Sequence, residues 1–351
     1  MTTKNILIFV HGMMPDNFPD PAIIVYDELW SSVKNVDNLG QRVDFEDIIA
    51  VEWGHFDHLP HPDEKINRAE KFIAEKINEK IIDENPGLKN LDLLQNIINF
   101  IKKLPLGHPS EITRPYLHLL RQTILLRGLG DAVYYCGEQG KIAVQVAVYA
   151  PILQRLEHYR REERDTKIRL HIIAHSLGVT IATDFLYGLF SPTAINFKND
   201  SQKPPDPTIF LREARDDNVE HLRKEVINRY KYWRQPNNAK RLELGSIVSL
   251  ASQLPLLLLS KQRVVDELFV EKTLSPSDIG IPEDTNQILW KIFYDIDDLL
   301  AFPTGCLYGD HCAIKDFQVD SGNYPDTAHT DYWKSPVVHK EVAELWSRRM
   351  E

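Results

Sequence analysis

The sequence predicts an α/β fold with a mostly parallel central sheet and helices on both faces. Short apolar runs without polar alternation recur along the chain, which is typical of strands buried on both sides. Segments with apolar residues every three or four positions separate them, and these indicate helices with one buried face. Strands that alternate with helices favour parallel pairing. With 351 residues, 43% of them hydrophobic, the chain can fill the large core of one domain over 1–351.

The first predicted unit is a strand, a helix and a second strand. An apolar run over residues 5–10 predicts a central strand that ends at His11-Gly12. The run 48–53 predicts the second strand, which ends at Gly54. Between the two strands, a helix is predicted from apolar residues that recur at helical spacing: Ile23, Tyr26, Trp30 and Val33.

A mostly helical insertion is predicted for 63–128. Two sets of apolar residues share helix faces there, and Pro and Gly residues separate them. Because the insertion follows the second core strand, we expect it to form a cap over the site described below. The alternative is that its helices pack on the sheet edge, away from that site.

The remaining chain continues the alternation of helices and strands. Helices are predicted over 141–163, 176–190, 217–231 and 337–346, and strands over 168–173, 242–250, 288–296 and 313–319. A segment rich in Ser, Pro, Asn and Asp, 191–207, predicts a loop. Together with the helix that follows, it forms a second predicted insertion over 191–240.

The net charge and the hydropathy of the chain indicate which classes of binding partner to expect. The formal net charge of −10 disfavours binding to nucleic acid, because phosphate backbones are recognised by clustered Lys and Arg. The apolar run near the N-terminus is too short for a signal peptide, which predicts a cytoplasmic protein. The leucine-rich stretch 254–259 is far shorter than the ~20 residues of a membrane span, so no stable membrane anchor is expected.

The three cysteines are Cys136, Cys306 and Cys312, an odd number that cannot all form internal disulfides. Cys306 and Cys312 lie near His311, but their spacing matches no zinc pattern. We therefore predict neither a metal site nor a cofactor.

The clearest functional signal is the segment 172–178, Ile-Ile-Ala-His-Ser-Leu-Gly, in which a buried strand runs into a small-x-Ser-x-Gly turn and then a helix. This pattern is that of a nucleophile elbow, with Ser176 on a sharp turn above the sheet. Ala174 and Gly178 supply the small residues that such a turn needs. The alternative is a serine that caps an ordinary helix.

A nucleophilic serine needs a base, an acid that orients the base and donors for the oxyanion. His329 is the one histidine of thirteen that combines a position after the last predicted strand with the order Ser, Asp, His. Three carboxylates, those of Asp295, Asp297 and Asp298, lie at the end of the strand predicted over 288–296 or just beyond it.

These motifs resemble those of the α/β-hydrolase superfamily, and within it the bacterial lipase- and esterase-like proteins. The resemblance covers roughly 1–54 and 130–351. It implies that His11-Gly12-Met13 is an oxyanion loop, with backbone N–H donors at Met13 and Leu177. The segment 294–302 is similar to an Asp-Pro-Val-Ala-Tyr motif and places the triad acid at Asp298. Leu299 stands where that motif has proline, which leaves Asp295 as second and Asp297 as third choice.

The resemblance implies a serine hydrolase that cleaves a carboxylic ester or thioester through Ser176, His329 and Asp298, with a small-molecule or lipid-like substrate. A serine peptidase or a dedicated thioesterase would use the same residues. From a different class, an inactive interaction module could retain this scaffold. The leucines at 254 and 256–259 could line an acyl-chain pocket, although a leucine run beside a strand is more often core.

Overall fold

The computed structural model describes residues 2–12, 21–51, 128–162, 166–191, 194, 214–215, 217–322 and 325–350. The described strands form a six-stranded sheet in which every pair of neighbours is parallel. In chain order they are β1 (Thr3–Val10), β2 (Asp47–Val51), β3 (Lys167–His175), β4 (Leu242–Leu250), β5 (Trp290–Tyr294) and β6 (Ile314–Gln318).

The spatial order of the strands is β2-β1-β3-β4-β5-β6. The chain therefore moves outward from β1 to β2 and then continues on the other side of β1 with β3. The strand order reverses between β1 and β3, and in open parallel sheets the crevice at such a reversal, beyond the carboxyl ends of the strands, is the usual place for a ligand. Gly12 and Ser176 lie at these two carboxyl ends.

Helices are described between the strands and after the last of them. Their bounds are α1 (Pro21–Lys34), α2 (Gly128–Cys136), α3 (Glu138–Glu162), α4 (Leu177–Phe190), α5 (Asp217–Trp233), α6 (Pro236–Ala239), α7 (Leu254–Leu258), α8 (Gln262–Val270), α9 (Pro325–Thr330) and α10 (Pro336–Met350). Short 3-10 turns cover Gly40–Arg42, Pro276–Ile279, Gly305–Tyr308 and Tyr332–Lys334.

Each face of the sheet is covered by its own apolar layer. Because side chains alternate along a strand, β1 sends Ile6 and Ile8 to one face and Leu7 and Phe9 to the other. The first face packs against residues of α2, α3, α4 and α5. The second packs against α1 and α10, where the buried Trp346 makes an edge contact with Phe45. Both faces of β1, β3 and β4 are therefore buried along most of their length, which explains the apolar runs in their sequences.

The structure contains every strand predicted from the apolar runs, with described ends that agree to within two residues and bounds for 242–250 that are identical; the predicted end of the second strand lies outside the described residues. The leucine-rich stretch forms α7, in which Leu254, Leu257 and Leu258 are buried and Leu256 is exposed. The predicted insertion at 63–128 lies outside the described residues except at its last position. No helix within the described ranges has the length and apolar character that a membrane span requires.

Candidate active site

Ser176 occupies the sharp turn between β3 and α4. Its backbone has φ 53° and ψ −127°, a conformation that costs energy for any residue other than glycine and recurs at functional sites. The Ser176 N–H donates to the carbonyl oxygen of Leu250 at the end of β4, at 2.9 Å. The structure thus contains the predicted strand, turn and helix, and a hydrogen bond to β4 fixes the turn.

Two glycines let the backbone approach Ser176 closely. A Cβ added to Gly12 would lie 2.6 Å from the Cβ of Ser176 and 3.3 Å from its Oγ. A Cβ added to Gly178 would lie 2.4 Å from the carbonyl oxygen of Val10. Any larger residue would therefore separate the end of β1 from the start of α4, so these glycines are required by space rather than by their own torsion angles.

Ser176, His329 and Asp298 are joined by hydrogen bonds, although they are far apart in sequence. The Oγ of Ser176 lies 2.9 Å from Nε2 of His329, and Nδ1 of His329 lies 2.9 Å from Oδ2 of Asp298. Because the carboxylate can only accept, His329 donates from Nδ1 and keeps a lone pair on Nε2. Ser176 must then donate its hydroxyl proton to Nε2. This is the arrangement in which an imidazole can act as a general base.

Asp298 is fixed by three further features of its surroundings. It is buried, its Oδ1 accepts from the N–H of Leu300 at 2.9 Å, and its Oδ2 accepts from the hydroxyl of Tyr332 at 3.0 Å. Burial and the charge of Asp298 raise the pKa of Tyr332 far above its ordinary value, so the phenol stays protonated and remains a donor. The carboxylate is therefore held with both oxygens near the imidazole.

The other two carboxylates of this segment lie elsewhere. Asp295 is buried and accepts from the N–H of Ser321 at 2.6 Å and from its hydroxyl at 2.8 Å. Burial would raise the pKa of Asp295, but these hydrogen bonds and that from Asp297 N–H outweigh it and lower the pKa. Asp297 is exposed. The structure brings Asp298, and neither alternative, to His329.

His175, the residue before Ser176, supports the loop that carries His329. Its Nε2 lies 2.8 Å from the backbone carbonyl of His329, and since a carbonyl only accepts, Nε2 carries the proton. The ring also makes an edge contact with Trp333, with centroids 4.9 Å apart. Burial, and then the nearby His329, lower the pKa of His175 to about 3, so it remains neutral at physiological pH. It acts on His329 by position rather than by proton transfer.

Of the two predicted oxyanion donors, one can be located. Leu177 is the first residue of α4, so its backbone N–H has no acceptor within the helix and lies beside Ser176 at the positive end of the helix dipole. Met13 lies outside the described residues. His11, which precedes it, is buried and its Nδ1 donates to the carbonyl of Gly12. The contact fixes the His11 ring against the backbone of the next residue.

The contact between Ser176 and Gln253 was not predicted from the sequence. The side-chain Nε2 of Gln253 donates to Ser176 Oγ at 3.0 Å, from a position just after β4. Gln253 and Ser176 are 77 residues apart, and no local pattern marks a glutamine at a strand end as functional. The only available signal was its place after a strand that neighbours β3.

The cysteines lie apart from this site and are all exposed with free thiols. Across the part of the chain that the structure describes, no cluster of three or more His, Cys, Asp or Glu side chains is arranged to hold a metal ion.

Comparison of the chain with protein-family models, with curated proteins and with solved structures found no significant match in any of the three. Function must therefore be argued from the residues and geometry of this site.

Proposed function

We propose that the protein is a serine hydrolase of the α/β-hydrolase type that cleaves carboxylic ester or thioester bonds. The observation that supports this most directly is the unbroken series of hydrogen bonds from Ser176 through His329 to Asp298. Its position at the reversal of strand order, and the strained turn at Ser176, add support from the fold.

In the proposed acylation step, Ser176 Oγ attacks the substrate carbonyl carbon while its proton passes to Nε2 of His329. Asp298 stabilises the resulting imidazolium, since its carboxylate faces Nδ1. The Leu177 N–H, with a second donor proposed at Met13, stabilises the negative charge on the former carbonyl oxygen. His329 then returns the proton to the alcohol or thiol, which leaves as the carbon–heteroatom bond breaks.

Deacylation repeats these events with water. His329 removes a proton from water, the hydroxide adds to the acyl carbon, and the bond from that carbon to Ser176 Oγ breaks. The proton on His329 passes to Oγ, which restores the serine and releases a carboxylic acid. These steps use the side chains described above and one water.

We propose a small-molecule or lipid-like ester as the substrate. Gln253, which touches Ser176, is followed directly by the apolar helix α7, in which Leu254, Leu257 and Leu258 pack in the core and Leu256 is exposed. Peptide bonds use the same triad, and the substrate test below therefore includes an amide.

We predict that Ser176→Ala lowers ester turnover by about 10⁶-fold, because the loss of a triad nucleophile removes the whole covalent route. The measurement is hydrolysis of p-nitrophenyl esters of increasing chain length, with a p-nitroanilide as the amide and labelling by a fluorophosphonate probe. Ser191 is a matched control, since it is buried and caps the other end of α4. Ser191→Ala should keep the turnover and labelling of the wild type.

Unchanged ester hydrolysis by Ser176→Ala would contradict the assignment of the nucleophile. A wild-type protein that neither reacts with the probe nor cleaves any of these substrates would instead favour the inactive interaction module. Cleavage of the anilide in preference to every ester would move the proposal to a peptidase.

A further inference from the structure

The amide of Gln253 is placed against the reacting oxygen of Ser176, and the proposed mechanism gives it no task so far. The side chain is fully buried, and the one hydrogen bond that it makes to the described part of the chain runs from Nε2 to Ser176 Oγ at 3.0 Å. The amide oxygen Oε1 has no hydrogen-bond partner among the described residues.

The orientation of this amide follows from the hydrogen bonds around it. The single proton of the Ser176 hydroxyl is donated to His329, whose Nε2 must accept because its Nδ1 donates to Asp298. The remaining contact of Oγ must therefore be one that it accepts. Only the NH₂ side of the Gln253 amide can supply it, so Nε2 faces the serine and Oε1 faces away.

Stability alone does not account for a glutamine at this position. A buried acceptor without a partner destabilises the folded state, and an apolar side chain of similar shape would avoid that cost. The chain also holds Gln253 in place from both sides. Ala251 at the end of β4 has a φ of 52°, and the carbonyl of Gln253 accepts the N–H groups of Leu256 and Leu257 in α7. These features aim the amide at Ser176.

The strength of the hydrogen bond from Gln253 to Ser176 changes during the reaction. This inference rests on the proposed hydrolase function. Oγ accepts well as a hydroxyl and better as a developing alkoxide. As the bridging oxygen of an ester it accepts poorly, because its electrons are shared with the carbonyl. The acyl-enzyme would therefore leave a buried N–H donor of Gln253 unsatisfied. The bond forms again as the acyl carbon separates from Oγ.

We propose that Gln253 is a further catalytic residue, whose amide donor destabilises the acyl-enzyme and stabilises Ser176 Oγ as it leaves the acyl carbon. The atoms of the reaction are unchanged: the carbon–oxygen electron pair passes to Oγ, and His329 supplies the proton. In acylation the donor is engaged both before and during attack, so its contribution there is smaller. Gln253 thus acts mainly on deacylation.

The test compares Gln253→Met, which keeps the size but loses the donor, with the wild-type protein. Stopped-flow hydrolysis of p-nitrophenyl acetate separates acylation from deacylation, and mass spectrometry of quenched samples measures the acyl-enzyme. We expect deacylation to slow about tenfold, the effect of one hydrogen bond, and acylation to change less than about threefold. The acyl-enzyme should accumulate at saturating ester.

Gln253→Glu is the second variant and gives a pH signature that a structural role would not produce. Its carboxyl donates to Oγ when protonated and cannot donate when ionised. The ratio of its deacylation rate to that of the wild type, measured at each pH, should therefore fall as the pH rises. This variant keeps the shape of glutamine and serves where Gln253→Met does not fold.

Gln145→Met is the matched control, because Gln145 is also fully buried and donates its amide to Tyr135, in a different cluster. It should leave the ratio of deacylation to acylation at the wild-type value. Equal losses of both rates in Gln253→Met, or a Gln253→Glu ratio that does not vary with pH, would overturn the inference. A wild-type protein inert to both ester and fluorophosphonate would instead overturn the proposed function itself.

Discussion

Asp295 and Asp298 are both buried within one turn of the chain, yet their neighbours give them different tasks. Asp298 faces the imidazole of His329, whereas Asp295 accepts hydrogen bonds from the Ser321 N–H and hydroxyl. The hydroxyl of Ser321 also lies 2.7 Å from the carbonyl oxygen of Ala328, next to His329, so its single proton is shared between these two acceptors. Asp295 therefore connects the segment that carries Asp298 with the segment around α9 that carries His329, whereas Asp298 contacts His329 itself.

We predict that Asp298→Asn lowers kcat for ester hydrolysis by about 10⁴-fold. The asparagine amide can turn its NH₂ group towards Nδ1 of His329. Nδ1 would then have to accept, the proton would move to Nε2, and Nε2 could no longer accept the proton of Ser176. Steady-state kinetics with the best p-nitrophenyl ester would measure the effect. Asp297→Asn, at an exposed position, is the control and should change kcat less than about twofold.

Asp295→Asn should lower the free energy of unfolding, because it removes an acceptor from the loop at Ser321. It should lower kcat less than Asp298→Asn does. If it proved more damaging to kcat than Asp298→Asn, the assignment of the triad acid would be wrong.

The sequence predicted those site residues that have a local pattern. Ser176 stands in a recognisable turn, and His329 follows from chain order. Asp298 came from resemblance to a motif in spite of the missing proline. Tyr332 and Gln253 could not be predicted in their roles, because the atoms they contact belong to other strand ends and become neighbours only when the sheet has formed.

A buried charge fixes the middle of α4, the helix that follows Ser176. Asp184 in α4 accepts from the hydroxyl of Tyr135 in α2 at 2.7 Å and forms an ion pair with Lys261, which caps α8. Both charged groups are buried. Burial, and then the charge of Asp184, raise the pKa of Tyr135 well above its ordinary value, so its hydroxyl remains a donor. Three helices are thus fixed to one carboxylate.

We predict that Asp184→Leu lowers the free energy of unfolding by about 3–5 kcal/mol, because it leaves the ammonium of Lys261 buried without its partner. The double variant with Lys261→Met should recover most of that loss, since the buried ammonium of Lys261 is then absent, and the other cation near Asp184, Lys141 at 4.0 Å, is partly exposed to water. Urea denaturation of both variants and the wild type measures the difference.

An exposed ion pair provides the comparison for this prediction. Glu344→Ala breaks the contact with Arg348, whose side chain is 73% exposed, and should cost less than about 1 kcal/mol. A double variant no more stable than Asp184→Leu alone would show that the unpaired lysine is not the cause.

Elements buried on both faces were the easiest to predict, because β1, β3 and β4 read as apolar runs with clear ends. The leucine-rich stretch shows the limit of such reading. Its side chains face the core at positions 254, 257 and 258, which is helical spacing, but five residues with an internal proline are too few to display a period. Only its packing against α4 decides that it is a helix.

The stability of the whole molecule should depend on pH through two histidines of the central strand β3. Burial is the largest cause that lowers the pKa of His171, and likewise of His175, to about 3. His171 is held neutral between Ser246 Oγ at 2.8 Å and Asn5 Oδ1 at 3.3 Å. The unfolded chain binds protons at these residues below about pH 6.5, whereas the folded chain does not.

We predict that the free energy of unfolding falls as the pH drops from about 6.5 towards 3. Because the unfolded state binds more protons in this range, each histidine contributes a slope of up to about 1.4 kcal/mol per pH unit. His171→Gln should reduce the slope by up to that amount while it lowers stability at pH 7. Urea denaturation of both proteins at pH 7, 6 and 5 measures the slopes, and parallel lines for the two would contradict the prediction.

The site is distributed over the carboxyl ends of five strands: Gly12 follows β1, Ser176 follows β3, Gln253 follows β4, Asp298 follows β5 and His329 follows β6. Contacts between such distant parts of a chain form late, since long loops must close before parallel strands can pair. For a hydrolase of the proposed kind, no contiguous fragment would carry a working site. Turnover would therefore be proportional to the fraction of molecules in which all five strand ends are in place. During refolding it would recover later than signals that report the formation of a single helix.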